Sequence, residues 1–299
     1  MTVLMERVPV SVIVLTFNEE ANLPGCLDSV AAWAGEIVVV DSGSTDRTLE
    51  VARAAGARIL HRPFEDYARQ RNWAQEAAAP RFDWVLHLDA DERVSPELAT
   101  AMRRFLSSPE ARTRSGARFS RRTVFMGRWI RHGGHYPVFH TRLFRRLRGR
   151  CEQRRYDQHF VVSGSVATLA GDLIDVLTPD IDTWSIRHIR WAGLEAADVL
   201  AGTTTESSLQ GRLGSDPVLR RRWFKAHVFG ASPLFLRAFL YFLYRYLLRG
   251  GYRDGTEGLI FHFLQACWFR FYVDVKVWSS RRGSDPIVLA ACTSPDHVG

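Results

Sequence analysis

Three short acidic pieces in the first hundred residues carry the chemistry that this sequence can do. Asp89-Ala90-Asp91-Glu92 follows the apolar run Trp84-Val85-Leu86-His87-Leu88. Asp41-Ser42-Gly43-Ser44-Thr45-Asp46 follows Ile37-Val38-Val39-Val40, and Thr16-Phe17-Asn18-Glu19 follows Val12-Ile13-Val14-Leu15. Carboxylates gathered this closely repel one another unless a cation or hydrogen-bond donors compensate. Oxygen ligands suit Mg²⁺ or Mn²⁺, held by one or two carboxylates together with substrate phosphates. Asp89 and Asp91 are therefore candidate metal ligands. Asp-x-Asp also occurs in turns whose Asp side chains bond their own backbone, and that reading stands beside the metal one.

The elements around these pieces decide whether they meet. Val10 to Thr16, Glu36 to Val40, Ala57 to Leu60 and Asp83 to Leu88 are short and apolar, the pattern of strands buried on both faces. Between them lie helical stretches from Asn18, as a cap, to about Trp33, from Thr48 to Ala55 and from Tyr67 to Ala79. Ser95-Pro96-Glu97 reads as a further helix start. Repeated strand–helix units predict an α/β fold whose parallel strands end on one edge, where the acidic pieces converge.

The second half is less regular. Arg118 to Val124 and Arg142 to Arg146 have strand patterns, and Arg128 to His140 reads as a loop containing Gly and His. Helical character begins beyond Asp182. Trp223 to Arg249 and Leu259 to Trp278 are dense in Phe, Leu, Tyr and Trp but broken by charges, which suits helices lying in a membrane interface or packing on each other. The expected organisation is a domain over 1–180, with a regular half (1–110) and a less regular half (111–180), then a helical membrane-associating extension over 181–299.

The 299 residues are 46% hydrophobic and 24% charged, an ordinary globular composition. Four scattered cysteines argue against a disulfide framework or a structural zinc site, and no signal peptide is expected. The net charge of +8 is concentrated: Arg112 to Arg155 holds fourteen arginines and one acid, Glu152. Such a stretch suits phosphates or acidic headgroups, or is a solvated basic face. No nucleic-acid-binding motif accompanies it, so no nucleic-acid partner is expected.

Taken in order, Val12 to Glu19, Val39 to Asp46, Arg71-Asn72 and Leu88 to Glu92 resemble glycosyltransferase family 2, an inverting family with the GT-A fold. Gly133-Gly134-His135-Tyr136-Pro137, Arg142 to Arg146, Tyr156 to Phe160 and Gly250 to Gly255 resemble its bacterial lipopolysaccharide-core, capsule and exopolysaccharide members. The resemblance implies a mixed, mostly parallel sheet with helices on both faces. It also implies roles. Thr16, Asn18 and Glu19 line a nucleoside pocket, and Asp41 accepts a hydrogen bond from the base, usually uracil. Arg71 lies near the nucleotide, Asp89 faces the ribose or the metal shell, and Asp91 ligates the divalent ion. Asp157 falls where the family's second acidic motif falls, so it is the first candidate for the general base, with His159 the competitor. Many relatives have Glu-Asp or His-Glu where this chain has Tyr156-Asp157-Gln158-His159.

Arg187-His188-Ile189-Arg190-Trp191 resembles, in part, the Gln-x-x-Arg-Trp motif of processive members, which would set Arg190 on the leaving diphosphate and Trp191 on the acceptor sugar. His135, with His132 and His140, suggests an acceptor loop. The basic stretch and aromatic helices fit a lipid-linked acceptor at the anionic cytoplasmic face of a bacterial inner membrane, where the protein would be peripheral. The aromatic helices also offer a surface for pairing with a second copy. A nucleotidyltransferase would carry a Gly-rich loop after the first strand, where Asn18-Glu19-Glu20 stands instead. A non-catalytic sugar-nucleotide binder would have no need of the intact Asp41, Asp89, Asp91 and Asp157.

Overall fold

In the first strand, β1 (Val8–Thr16), successive side chains point to opposite faces of the sheet. Val10, Val12 and Val14 enter one core cluster and Ile13 another. In β2 (Ala34–Asp41), Ile37 and Val39 join the first cluster, Val38 and Val40 the second. Strands apolar on both faces require helices on both sides. α1 (Leu23–Ala31), α2 (Thr48–Ala54) and α4 (Pro96–Leu106) cover the first face. α3 (Tyr67–Ala77) covers the second through Ala74. In α4, Leu98, Met102 and Phe105 recur at helical spacing and are buried, each contributing on the order of 1.5–3 kcal/mol. Ser95 caps that helix by accepting from the Leu98 amide, as its sequence predicts. A short α5 (Glu110–Thr113) follows.

The remaining strands are β3 (Arg58–His61), β4 (Trp84–Asp89), β5 (Glu92–Val94), β6 (Gly116–Phe125), β7 (Arg128–Trp129), β8 (Val138–Arg145), β9 (Gly149–Cys151), β10 (Phe160–Val162) and β11 (Val166–Val176). The main sheet runs β3-β2-β1-β4-β8-β6-β11-β5, with β7 paired to β6; β9 and β10 form a separate hairpin. The β3-β2-β1-β4 half is parallel, whereas β8 runs antiparallel to β4 and β5 antiparallel to β11. This is the mixed α/β GT-A architecture that the resemblance implies.

The structure, a computed structural model, describes residues 7–153, 158–177, 180–201 and 232–283. Within these, contacts group residues 7–123 and 140–177 into one unit, and 124–139 with the later helices into a second. The segment read as a loop from 128 to 140 contains β7, whose Trp129 pairs with Val124, and the start of β8. β11 has no strong strand signature because Ala170, Gly171, Asp172 and Asp175 interrupt its apolar pattern. Neighbouring strands on both sides hold it in the sheet.

The second unit contains α6 (Ile181–Leu200) and α7 (Leu236–Leu243), which continues through a π-turn (Tyr244–Leu248). It also contains α8 (Gly255–His262), a π-turn (Phe263–Trp268) and α9 (Phe269–Arg281). Residues 223–231 of the first aromatic stretch lie outside the described residues. No helix among the described residues is long and apolar enough to cross a membrane. The His262 ring is packed against Gly133 and Gly251: a Cβ on either would lie 2.2 or 2.5 Å from it. His132 pairs with the buried Asp254 at 2.6 Å, tying the 132–134 turn to residues 250–255.

Candidate active site

The strand register sets the level of the acidic pieces. Thr16 at the end of β1 lies opposite Asp41 on β2, and Leu15 lies opposite Asp89 on β4. Asp41, Thr16 and Asp89 therefore share one edge of the parallel half-sheet. Asp41 is buried and anchors its own loop. It accepts from the Gly43 amide at 2.9 Å, from the Ser44 amide and hydroxyl, and from the Thr16 hydroxyl at 3.4 Å. Asp41 thus bonds the backbone of its own turn, and any base-recognition role shares a carboxylate already occupied by its own loop.

The loop after β1 is fastened to the loop after β2. The Asn18 side chain accepts from the Thr45 amide at 2.8 Å, and the Asn18 amide donates to Ser44. The amides of Glu19 and Glu20 donate to Thr48 and Asp46. Asn18 adopts the left-handed conformation, φ 53°, which Asn tolerates better than most residues. Asn18 is therefore a loop clamp, and Asn22 takes the position before α1 without a side-chain cap.

Asp89 is held by two guanidiniums. Arg71 from α3 donates to both of its oxygens at 2.8 and 3.0 Å. Arg142 from β8 donates to Asp89 at 3.0 Å and to Glu92 at 2.9 Å. Glu92 in turn accepts from the Asp89 amide. Burial by itself would raise the Asp89 pKa, but Arg71 and Arg142 carry it well below the usual carboxylate range. Glu92 goes the other way: burial, then Asp89 and Asp175, push it up to about 7 against the pull of Arg142. His87, beneath the site between Phe144 and Phe160, is forced down to about 3 by burial and by the two arginines. Sequence reading gave Arg71 a role near the nucleotide; it named Glu92 and Arg142 only within their motifs and gave them no role at the site.

Asp91 lies in different company. Burial raises its pKa well above the ordinary value, and Asp175, Asp89, Glu92 and Glu19 raise it further. Asp175 comes from β11, where it pairs in register with Glu92, while the Val176 amide donates to the Asp91 carbonyl. Asp175 escaped the sequence reading. Among the described residues, no three His, Cys, Asp or Glu side chains form a ready-made metal cluster. A half-buried carboxyl among other carboxylates nonetheless fits a divalent cation that takes one or two protein oxygens and completes its shell with phosphate and water. Asp91 is the residue that would hold it; Asp89, fully engaged by arginines, is placed to orient the site.

Asp157 lies outside the described residues. The nearby β9–β10 hairpin is ordered by reciprocal bonds: the His159 amide donates to the Glu152 side chain at 2.8 Å, and the Glu152 amide to the His159 carbonyl. The His159 ring stacks on His140 at 5.7 Å. His135, Arg190 and Trp191 belong to the second unit. There the Arg245 guanidinium reaches His135 at 3.2 Å, Arg190 is exposed on α6, and Trp191 meets His188 edge-on at 4.8 Å. His188 is enclosed by Trp184, Trp191 and Phe269.

The family model described as "Glycosyl transferase family 2" matches residues 11–170. The lipopolysaccharide core biosynthesis glycosyltransferase LpsC of Rhizobium meliloti is 27% identical over 264 residues, covering 86% of this chain and 87% of that protein. A TPR repeat-containing protein of Synechococcus elongatus is 43% identical over 103 residues, 34% of this chain and 25% of that protein. The chain thus spans only about a quarter to a third of the first curated relatives it matches. Among solved structures, glucosyl-3-phosphoglycerate synthase of Mycobacterium tuberculosis, in complex with Mn²⁺, UDP and phosphoglyceric acid, is 25% identical. That likeness has a TM-score of 0.30 and covers 39% of this chain and 43% of that one.

Proposed function

The chain belongs to glycosyl transferase family 2, and from that premise we propose that it moves a sugar from a nucleotide-diphosphate donor, UDP first, to a hydroxyl of a lipid-linked oligosaccharide or lipopolysaccharide-type acceptor. The acceptor class is supported by the Rhizobium meliloti lipopolysaccharide core biosynthesis glycosyltransferase, similar over most of both chains. The same class suits a peripheral protein at the cytoplasmic face of a bacterial inner membrane. The observation that carries the reaction is the division of labour at the strand edge. Asp89 is locked ionised by Arg71 and Arg142, while Asp91 is held among carboxylates.

Cleaving the sugar–phosphate bond builds positive charge on the anomeric carbon and negative charge on the departing diphosphate. A divalent ion, when bound, supplies charge neutralisation for that diphosphate. The chain's own residues do the rest. The two clamped loops carrying Thr16, Asn18, Glu19 and Asp41 form the wall of the nucleoside pocket, and their mutual hydrogen bonds keep it preorganised. Arg71 and Arg142 fix Asp89 against the charge of the incoming donor. Asp157 takes the proton of the acceptor hydroxyl, with His159 the second candidate; a single displacement of this kind inverts the anomeric carbon. His135 and Trp191 are assigned to the acceptor and Arg190 to the diphosphate.

The test is nucleotide release from UDP-sugars with Mn²⁺ and a lipid-linked acceptor. Asp91→Ala should lower turnover by about 100-fold or more, the scale of losing a principal electrostatic contributor. Turnover unchanged in Asp91→Ala removes the metal assignment; no release from any UDP-, GDP- or dTDP-sugar removes the transferase reading. Asp157→Asn set against His159→Gln separates the two bases.

A further inference from the structure

The helix from Leu236 to Leu248 is built inside out. Its buried side carries Arg237 and Arg245, and its exposed side carries Leu236, Phe239, Leu240, Leu243, Tyr244, Leu247 and Leu248. Arginine is rarely buried unless paired, and both are paired here. Arg237 Nε donates to the buried Asp274 of α9 at 2.9 Å, and Arg245 Nε donates to the Gly133 carbonyl at 2.8 Å. The charged side chains therefore hold the helix onto the second unit, and the apolar ones are left facing outward.

That outward face continues onto the neighbouring helices. Leu259, Phe263, Phe271 and Trp278 are also exposed. Ring contacts link them across the helices: Phe239 with Phe271, Phe235 with Phe271 and Trp278, and Phe242 with Phe263. A contiguous apolar area of this extent is not a feature of ordinary solvated surfaces. Its charges have one sign. Between residues 232 and 283 the acids are Asp254, Glu257 and Asp274. Asp254 and Asp274 are buried against His132 and Arg237, and Glu257 lies 3.6 Å from Arg128. The exposed charges are Arg249, Arg253, Arg281 and Arg282. Two of these lie over rings of the patch, Arg249 over Tyr244 at 5.9 Å and Arg282 over Trp278 at 4.2 Å.

We propose that this face docks on an anionic lipid bilayer, with the Leu236–Leu248 helix lying in the plane of the interface, its leucines among the acyl chains and the four arginines on the headgroup phosphates. The thirteen-residue helix is about 20 Å long, which suits lying in the interface rather than spanning it. A second copy of the chain would also cover apolar surface, but a two-fold pairing would bring arginine onto arginine. An anionic surface answers both the apolar area and the charge. The inference goes beyond the proposed reaction and does not depend on it.

The test is flotation of the full chain with vesicles, with neither donor nor acceptor present. Binding to phosphatidylglycerol-containing vesicles at low salt should exceed binding to pure phosphatidylcholine about tenfold or more and weaken in about 0.5 M salt. Leu240→Glu with Leu247→Glu should weaken it by a further tenfold or so. Leu259→Ser with Phe263→Ser, a gentler pair, should weaken it in the same direction. Leu147→Glu, at an exposed leucine of the other unit, should leave it unchanged. Circular dichroism establishes that each variant is folded. Absence of vesicle binding by the wild type overturns the proposal, as does equal binding by wild type and folded variants. A dimer that the Leu240/Leu247 variant dissociates, with no vesicle binding, overturns it in favour of a second copy. Sugar transfer is read separately, so its failure leaves this result standing.

Discussion

Arg142 is the residue on which the electrostatics of the strand edge turn, and Arg142→Met tests that directly. Arg142 is 8% exposed, and its guanidinium makes a 3.0 Å bond to Asp89 and a 2.9 Å bond to Glu92, itself 2% exposed. Removing one partner of a buried ion pair strands the other charge, at a cost of about 3–5 kcal/mol. Asp89 retains Arg71, so most of the loss falls on Glu92, which also accepts from the Asp89 amide. In a Glu92→Gln background that stranded charge is gone. There the loss on adding Arg142→Met should shrink to about 1–2 kcal/mol, the worth of a hydrogen bond to the one remaining charged partner. The assay is a double-mutant cycle by urea unfolding at about pH 8.5, above the value of about 7 to which burial raises Glu92, so that its carboxylate is ionised in the parent, followed by tryptophan fluorescence. A coupling energy near zero, with the same loss in both backgrounds, refutes the network. So does a loss under about 1 kcal/mol for Arg142→Met alone.

Two further perturbations have signs fixed by the structure. Burial among aromatic rings pushes His188 down to about 4, with Nδ1 bonded to the Trp184 carbonyl and Nε2 to the Gln265 amide. The unfolded chain takes up the proton near pH 6.5 and the folded chain only near 4, so stability falls as pH drops through that window. The loss is about 3 kcal/mol at its end. Unfolding compared at pH 7 and pH 4.5 should show the loss, and His188→Gln should remove much of it; an unchanged slope in the variant excludes His188 as the source. Glycine positions separate steric from conformational cost. Gly251→Ala places a Cβ 2.5 Å from the His262 ring and should cost about 2 kcal/mol or more, whereas Gly43→Ala, at φ +105° with open space around it, should cost about 1 kcal/mol. Equal losses in thermal or urea unfolding would contradict that contrast.

What could be read from the sequence is what depends on neighbours along the chain. Asp41, Asp89 and Thr16 follow apolar runs, and parallel strands bring such ends to one edge, so their meeting needs only the strand–helix alternation. Arg142 is invisible by the same route. It is one of fourteen arginines between residues 112 and 155, and nothing local marks it as the one that turns inward. Its place follows from β8 running antiparallel beside β4, a pairing across more than fifty residues. Asp175 is hidden for the same reason, since only the β11–β5 register sets it opposite Glu92. The aromatic stretch is ambiguous in another way. A helix with Arg237 and Arg245 among leucines would ordinarily be drawn with the arginines in water. Asp274, thirty-seven residues further on, reverses that choice by offering Arg237 a buried partner. A charged residue buries where a distant opposite charge has already been buried for it, and the apolar residues that share its helix are then obliged to face out. The orientation of an amphipathic helix is therefore decided by its ion pairs as much as by its hydrophobic stripe. In this chain the Arg237–Asp274 ion pair and the Arg245–Gly133 hydrogen bond both sit on the buried side.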